Sequence, residues 1–226
     1  MTPRVLDALV VLGVLAAVGV SGLLLGREFF PERFGAAGSA PAPTRRITDP
    51  GLRQQLAGTA FRSAASLARP AMTIVEFADF QCPACRGVEP ALRQVLREEQ
   101  GRVALAYHHY PLEAIHPHAF DAAVAFECAS EQGRGEVMHD LLFAAQDSIP
   151  GADWHRFASR AGLPDLARFG ACMAGTAAPA RVRADAAMAR SLGLAGTPTL
   201  FVGETEVFGA VSADSLRTLV RKATSR

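Results

Sequence analysis

Aromatic residues, cysteine and any excess of one charge are all scarce in this chain. Of 226 residues only 7% are Phe, Trp or Tyr, with a single Trp and two Tyr. Basic and acidic residues number 23 and 22 and are interspersed without a long run of either sign. That balance argues against a nucleic-acid-binding surface, which would show as clustered basic residues; the arginines read as a solvated face. No internal repeat is visible. There are only four cysteines, and two of them, Cys128 and Cys172, stand alone. A structural zinc site would pair close thiols with a second such pair or a histidine couple at short spacing, and the isolation of Cys128 and Cys172 argues against it.

What the chain does have is apolar mass: 50% of its residues are hydrophobic, enough to bury the core of one domain with an elaboration. The run ALVVLGVLAAVGVSGLLLG, Ala8 to Gly26, carries no charge and is long enough to cross a hydrocarbon layer at about 1.5 Å per residue. A cleaved signal peptide is one reading, with Ala17-Val18-Gly19 as a small-residue site. Leu23, Leu24 and Leu25 carry the apolar run past it, which favours a retained anchor. On either reading the remainder is exported. The segments divide as residues 1–30, anchor or signal; 31–60, a Pro-, Ala- and Gly-rich linker; and 61–226, the folded domain. Residues 47 to 69 read as a short helix and an edge strand.

From Met72 the pattern sharpens. MTIVEFADF mixes β-branched and aromatic residues as a buried strand does. After Cys82 the period changes: Val88, Leu92, Val95 and Leu96 share one helical face. RVALAYHHYPL then reads as a second strand, parallel to the first through a right-handed crossover. A helical insert follows, about 114–193, in which Asp153 caps one helix; two short strands, TPTLFVG and EVFGAV, and a final helix capped by Ser212 close the chain. The fold class is therefore α/β: a β-α-β half, a helical insertion and a β-β-α half, behind a single N-terminal transmembrane helix.

Cys82 falls where strand gives way to helix, with Pro83 at the first helical position, where its missing N–H costs nothing. A sulfur there meets free backbone N–H groups and the positive end of the helix dipole, and both favour thiolate. Cys85 lies one turn deeper, within disulfide reach. This pattern makes Cys82 the nucleophile and Cys85 the resolving thiol. Covalent haem attachment would need His after the second cysteine, where Arg86 stands. A purely structural bridge over two intervening residues would constrain the unfolded chain little. Phe77, Phe80, Phe120 and Phe126 read as core rather than cofactor contacts, and Trp154 as a helix anchor. His108, His109, His116 and His118 lack a thiol or carboxylate spaced to complete a metal site, so surface or capping roles are expected of them.

The region from Met72 onward resembles the thioredoxin superfamily, and within it the disulfide oxidoreductases of the DsbA type. EFADFQCPAC resembles the active-site strand and motif, Pro90 the kinking proline of the active-site helix, PLEAIHPHAFDAAVAFECASEQG the start of the insert, and GTPTLFV the cis-proline loop. The resemblance implies that Pro198 is cis and faces the disulfide, with the Thr197 backbone free to pair with a substrate peptide. It implies that Glu76 is a buried acid that takes the proton of Cys85. No cofactor and no metal are implied. The implied partners are reduced or misoxidised exported proteins, a membrane redox partner that resets the cysteines, and the lipid bilayer around the N-terminal helix; nucleic acid is not among them. The implied place is the inner membrane, single-pass, with the domain on the periplasmic side. Ala84 departs from the strongly oxidising members, which carry an imidazole between the cysteines, so the direction of electron flow stays open between a disulfide donor and a tethered reductase, for example of haem-attachment thiols. A metal-binding module on the same scaffold would call for wider cysteine spacing. With Cys82 and Cys85 assigned to the motif, an oxidising compartment makes a Cys128–Cys172 bridge the expected state of the other pair.

Overall fold

Strands β2 (Met72–Ala78) and β3 (Val103–His109) lie side by side in parallel, Met72 opposite Val103 and Ala78 opposite His109. The helix between them, α2 (Pro83–Glu98), makes the crossover. The computed structural model describes residues 46–58, 60–62, 70–99 and 101–225. The apolar run Ala8–Gly26 lies outside these, and among the described residues no helix is long and apolar enough to cross a membrane.

Among the described residues, five strands form one sheet in the order β1-β3-β2-β4-β5, where β1 is Ala60–Arg62, β4 is Thr199–Val202 and β5 is Thr205–Phe208. Only β2 and β3 run parallel; β1, β4 and β5 join antiparallel. Helices cover both faces, which is why β2 and β3 read as nearly continuous apolar runs rather than as alternation. On one face Ile74, Leu105 and Leu200 meet Val88, Leu92 and Val95 of α2 and Leu216 and Val220 of α8 (Ala213–Thr224). On the other, Val75, Phe77, Ala106 and Phe201 meet Leu56 of α1 (Pro50–Leu56) and Ala189 of α7 (Ala177–Ser191).

The folded unit starts well before residue 61. Asp49 caps α1 through its carboxylate, which accepts from Gly51 N, and Pro50 opens the helix. Ile47 and Leu56 are buried, and Arg46 and Arg53 both pair with Glu204. Part of the stretch expected to be linker is therefore docked on the sheet.

Between β3 and β4 the chain builds the insert from α3 (Ala119–Ser130), α4 (Gly135–Ala144), a 3-10 turn (Gln146–Ser148), α5 (Trp154–Arg160), α6 (Leu166–Ala174) and α7. Asp153 and Asp165 cap α5 and α6 with their carboxylates. The insert shares a core with the start of α2: Phe80, Cys82 and Cys85 pack among Phe126, Met138, Leu142, Phe143 and Phe169. A disulfide joins Cys128 of α3 to Cys172 of α6.

Candidate active site

Cys82 is the N-cap residue of α2 and Pro83 its first helical residue. Of the first-turn N–H groups, those of Ala84 and Cys85 act on the sulfur. Cys82 is 6% exposed and Cys85, one turn deeper, is fully buried; both are free thiols. The two behave oppositely. Cys82 is held down to about 5, chiefly by the hydrogen bond from the Cys85 thiol, with the Thr197 hydroxyl and the N–H groups of Cys85 and Ala84 helping against its burial. Burial pushes Cys85 well above the usual thiol range, and the hydrogen bond to Cys82 and the charge of Glu76 add to that. One sulfur is prepared to be a thiolate and its neighbour to stay protonated.

Three segments converge on this pair. The loop before β4 brings Thr197 and Pro198, joined by a cis peptide bond, and the Cys82 thiol donates to the Thr197 carbonyl at 3.5 Å. The loop is tied down by Gly209 N donating to Pro198 O at 2.8 Å and by the Thr199 hydroxyl donating to Gly196 O at 2.7 Å. A Cβ on Gly196 would sit 3.3 Å from the Phe208 ring, so a side chain there would require the ring to shift by a few tenths of an ångström. Beneath the pair, β2 places Glu76, fully buried, on the same face as Ile74 and toward Cys85.

Asp79, just past β2, and Gln146, from the 3-10 turn that is the third segment, were not legible as parts of the site. Asp79, 2% exposed, accepts from Gln81 N at 2.7 Å and from Leu112 N at 2.8 Å, and its Oδ2 lies 2.8 Å from His116 Nδ1. Gln146 Nε2 donates to the carbonyls of Phe80 at 2.8 Å and Cys82 at 3.0 Å. Asp79 could have been suspected from its place three residues before Cys82. For Gln146, sixty-four residues away, no local signal exists.

The histidines depart from expectation. His108 and His109 are buried in β3, not on the surface. His108 lies between Asp185 Oδ1 at 3.0 Å and the Leu56 carbonyl at 2.8 Å, and the Asp185 carboxylate raises its pKa against burial. His109 Nε2 lies 3.0 Å from Glu127 Oε1, and Glu127 in turn accepts from Arg181. Among the described residues, Glu89, His139 and Asp140 gather ligand atoms within 4.8 Å of one another. Arg93 bridges both acids, at 3.5 Å from Glu89 and 3.1 Å from Asp140, and supplies the positive charge a metal ion would bring.

A family model described as thioredoxin matches residues 69–222. A thioredoxin-like oxidoreductase from Silicibacter pomeroyi DSS-3 superposes with a TM-score of 0.58 at 28% identity, covering 68% of this chain and 87% of that one. The thiol-disulfide exchange protein alpha-DsbA2 of Wolbachia pipientis shares the fold, with a TM-score of 0.62 at 18% identity over 76% of this chain and 91% of that one. Among curated relatives, the Na(+)/H(+) antiporter NhaA 3 of Salinispora tropica is 40% identical over 67% of this chain, but the match spans 23% of that protein. The transport named there stays with that longer protein.

Proposed function

The chain belongs to the thioredoxin family, and from that premise we propose that it is a DsbA-like thiol–disulfide oxidoreductase that donates a Cys82–Cys85 disulfide to exported proteins. A substrate thiolate attacks Cys82 Sγ, the sulfur nearer the surface. A substrate–Cys82 bond forms, the Cys82–Cys85 bond breaks, and Cys85 leaves and takes up a proton. A second substrate thiolate attacks the substrate sulfur of the mixed disulfide, making the substrate bridge and expelling Cys82 as thiolate. Two electrons pass to the protein's cysteine pair. In the reverse direction Cys85 must lose its proton as it attacks, and Glu76, buried beside it, is the acceptor. The Thr197 carbonyl and Pro198 border the sulfur where an extended substrate chain would lie.

The observation that carries the donor direction is the Cys82 thiol held down to about 5. A thiolate stabilised in the reduced state makes the disulfide easier to reduce and hence more oxidising. Because the folded value is depressed, this stabilisation of the reduced form is full above the ordinary thiol value of about 8.5 and is lost as pH falls through about 5. The uncharged run Ala8–Gly26 supports a membrane anchor with the domain on the periplasmic side, and the Cys128–Cys172 bridge suits that oxidising compartment. A membrane redox partner then reoxidises the pair.

Equilibration with glutathione buffers at neutral pH tests the direction. The donor reading expects a potential less negative than about −200 mV; a value below about −250 mV would contradict it and make the protein a reductase.

A further inference from the structure

Gln146 belongs to the insert, yet its side chain is 6% exposed and spends both observed hydrogen bonds on the active-site segment. Those bonds fall on the Cys82–Pro83 peptide plane, directly after the sulfur-bearing residue, and on the Phe80–Gln81 plane, one plane removed on its other side. The Phe80–Gln81 plane is held at both ends: its carbonyl accepts from Gln146 at 2.8 Å, and its N–H donates to Asp79 Oδ1 at 2.7 Å. The Cys82–Pro83 plane has no N–H to anchor, because Pro83 lacks one. Its carbonyl accepts from Gln146 at 3.0 Å and from Arg86 N at 3.2 Å. Between them Cys82 N donates to Asp79 O at 3.0 Å. The backbone of Cys82 is thus held at its N–H by the Asp79 carbonyl and at its own carbonyl by Gln146, a side-chain donor from a different part of the fold.

We propose that Gln146 is a positioning residue for the reacting thiol: by fixing the Phe80 and Cys82 carbonyls it sets the backbone torsions of Cys82 and so aims Sγ at the first-turn N–H groups of α2. The proposal rests on the reading of Cys82 as the reacting sulfur. Its chemistry follows from the backbone. Without the amide, two buried carbonyls lack that donor, a loss of the kind that drives local rearrangement. The plane freed to turn is the one whose rotation carries Cys82 relative to the Ala84 and Cys85 N–H groups, which help to hold the thiolate. The other charged or titratable groups around the sulfur are Cys85 and Arg86 on its own helix, Glu76 on β2, Asp79 in the approach loop and Asp147 beside Gln146, which pairs with Arg86. None of these is altered by changing Gln146. A residue with a merely structural role would lower thermal stability and leave the titration of the folded protein in place.

Two uncharged variants of similar size test this, Gln146→Met and Gln146→Leu, both of which remove the donor without adding a charge beside the sulfur. Thiolate absorbance against pH, read on each reduced folded protein and on the parent, is the measurement. The proposal expects the Cys82 midpoint to rise by about one pH unit in both variants, about a tenfold drop in thiolate fraction at pH values below both midpoints. If one variant fails to fold, the other carries the test. A parent midpoint near 5 with variant midpoints unmoved overturns the role of Gln146 alone. A parent that titrates near the free-thiol value overturns the thiolate reading and the positioning role together.

Discussion

Replacing Cys85 with alanine is expected to leave covalent adducts: substrate proteins should accumulate on Cys82 as mixed disulfides visible on non-reducing gels. Cys85 is the buried sulfur that donates its hydrogen bond to Cys82, so in the reverse direction, where the Cys82 thiolate attacks a substrate disulfide, it is the group placed to attack the Cys82–substrate bond and release it. Removing it exchanges an intramolecular attack for an external one. Release should slow by about a thousandfold or more, given the advantage of a well-oriented neighbouring nucleophile. The Cys85→Ala cavity is small, so the fold should persist. Cys82→Ala should trap nothing. Adducts on Cys85 in a Cys82→Ala protein would reverse the assignment of the two sulfurs.

The second large effect belongs to the insert. The Cys128–Cys172 bridge closes a loop of sequence separation 44 between α3 and α6. A loop of that length implies up to about 4 kcal/mol of stabilisation through the unfolded chain. Against total stabilities of about 5–15 kcal/mol that is a large share. The double variant Cys128→Ala, Cys172→Ala should therefore unfold at clearly lower urea concentration, by about 2–4 kcal/mol in extrapolated stability. The Cys82 titration should change little, because the bridge joins two helices of the insert and neither of its cysteines is among the groups that shift the Cys82 thiol. Unchanged stability, or ready alkylation of Cys128 and Cys172 in the native protein, would show that the bridge does not contribute as described.

These expectations draw on features that differ in how far the residues announce them. The placement of Cys82 is local: a β-branched run ends, Pro83 opens a helix, and Val88, Leu92 and Val95 mark its buried face. Such a handover is readable because strand and helix periods change at one point. The caps Asp153 and Ser212 are local too. The docking of Ile47 and Leu56 is not, since a seven-residue helix with one buried side chain leaves almost no periodicity to detect. His108 and His109 looked superficial because imidazoles in a strand usually meet water. Their partners Asp185 and Glu127 come from α7 and α3, seventy-seven and eighteen residues away, and only the folded sheet brings them together. Gln146 is the extreme case: its meaning lies wholly in two backbone carbonyls of another segment.

The central claim is that one thiol of the pair is a thiolate near neutral pH and the other is not. Rapid alkylation of the reduced protein as a function of pH, with mass mapping of the labelled cysteine, tests it most directly. Label should enter Cys82 alone with a midpoint near 5, while Cys85 stays unlabelled until well above the ordinary thiol range. Equal labelling of both with a midpoint near the free-cysteine value of about 8.5, or label entering Cys85 first, would contradict it.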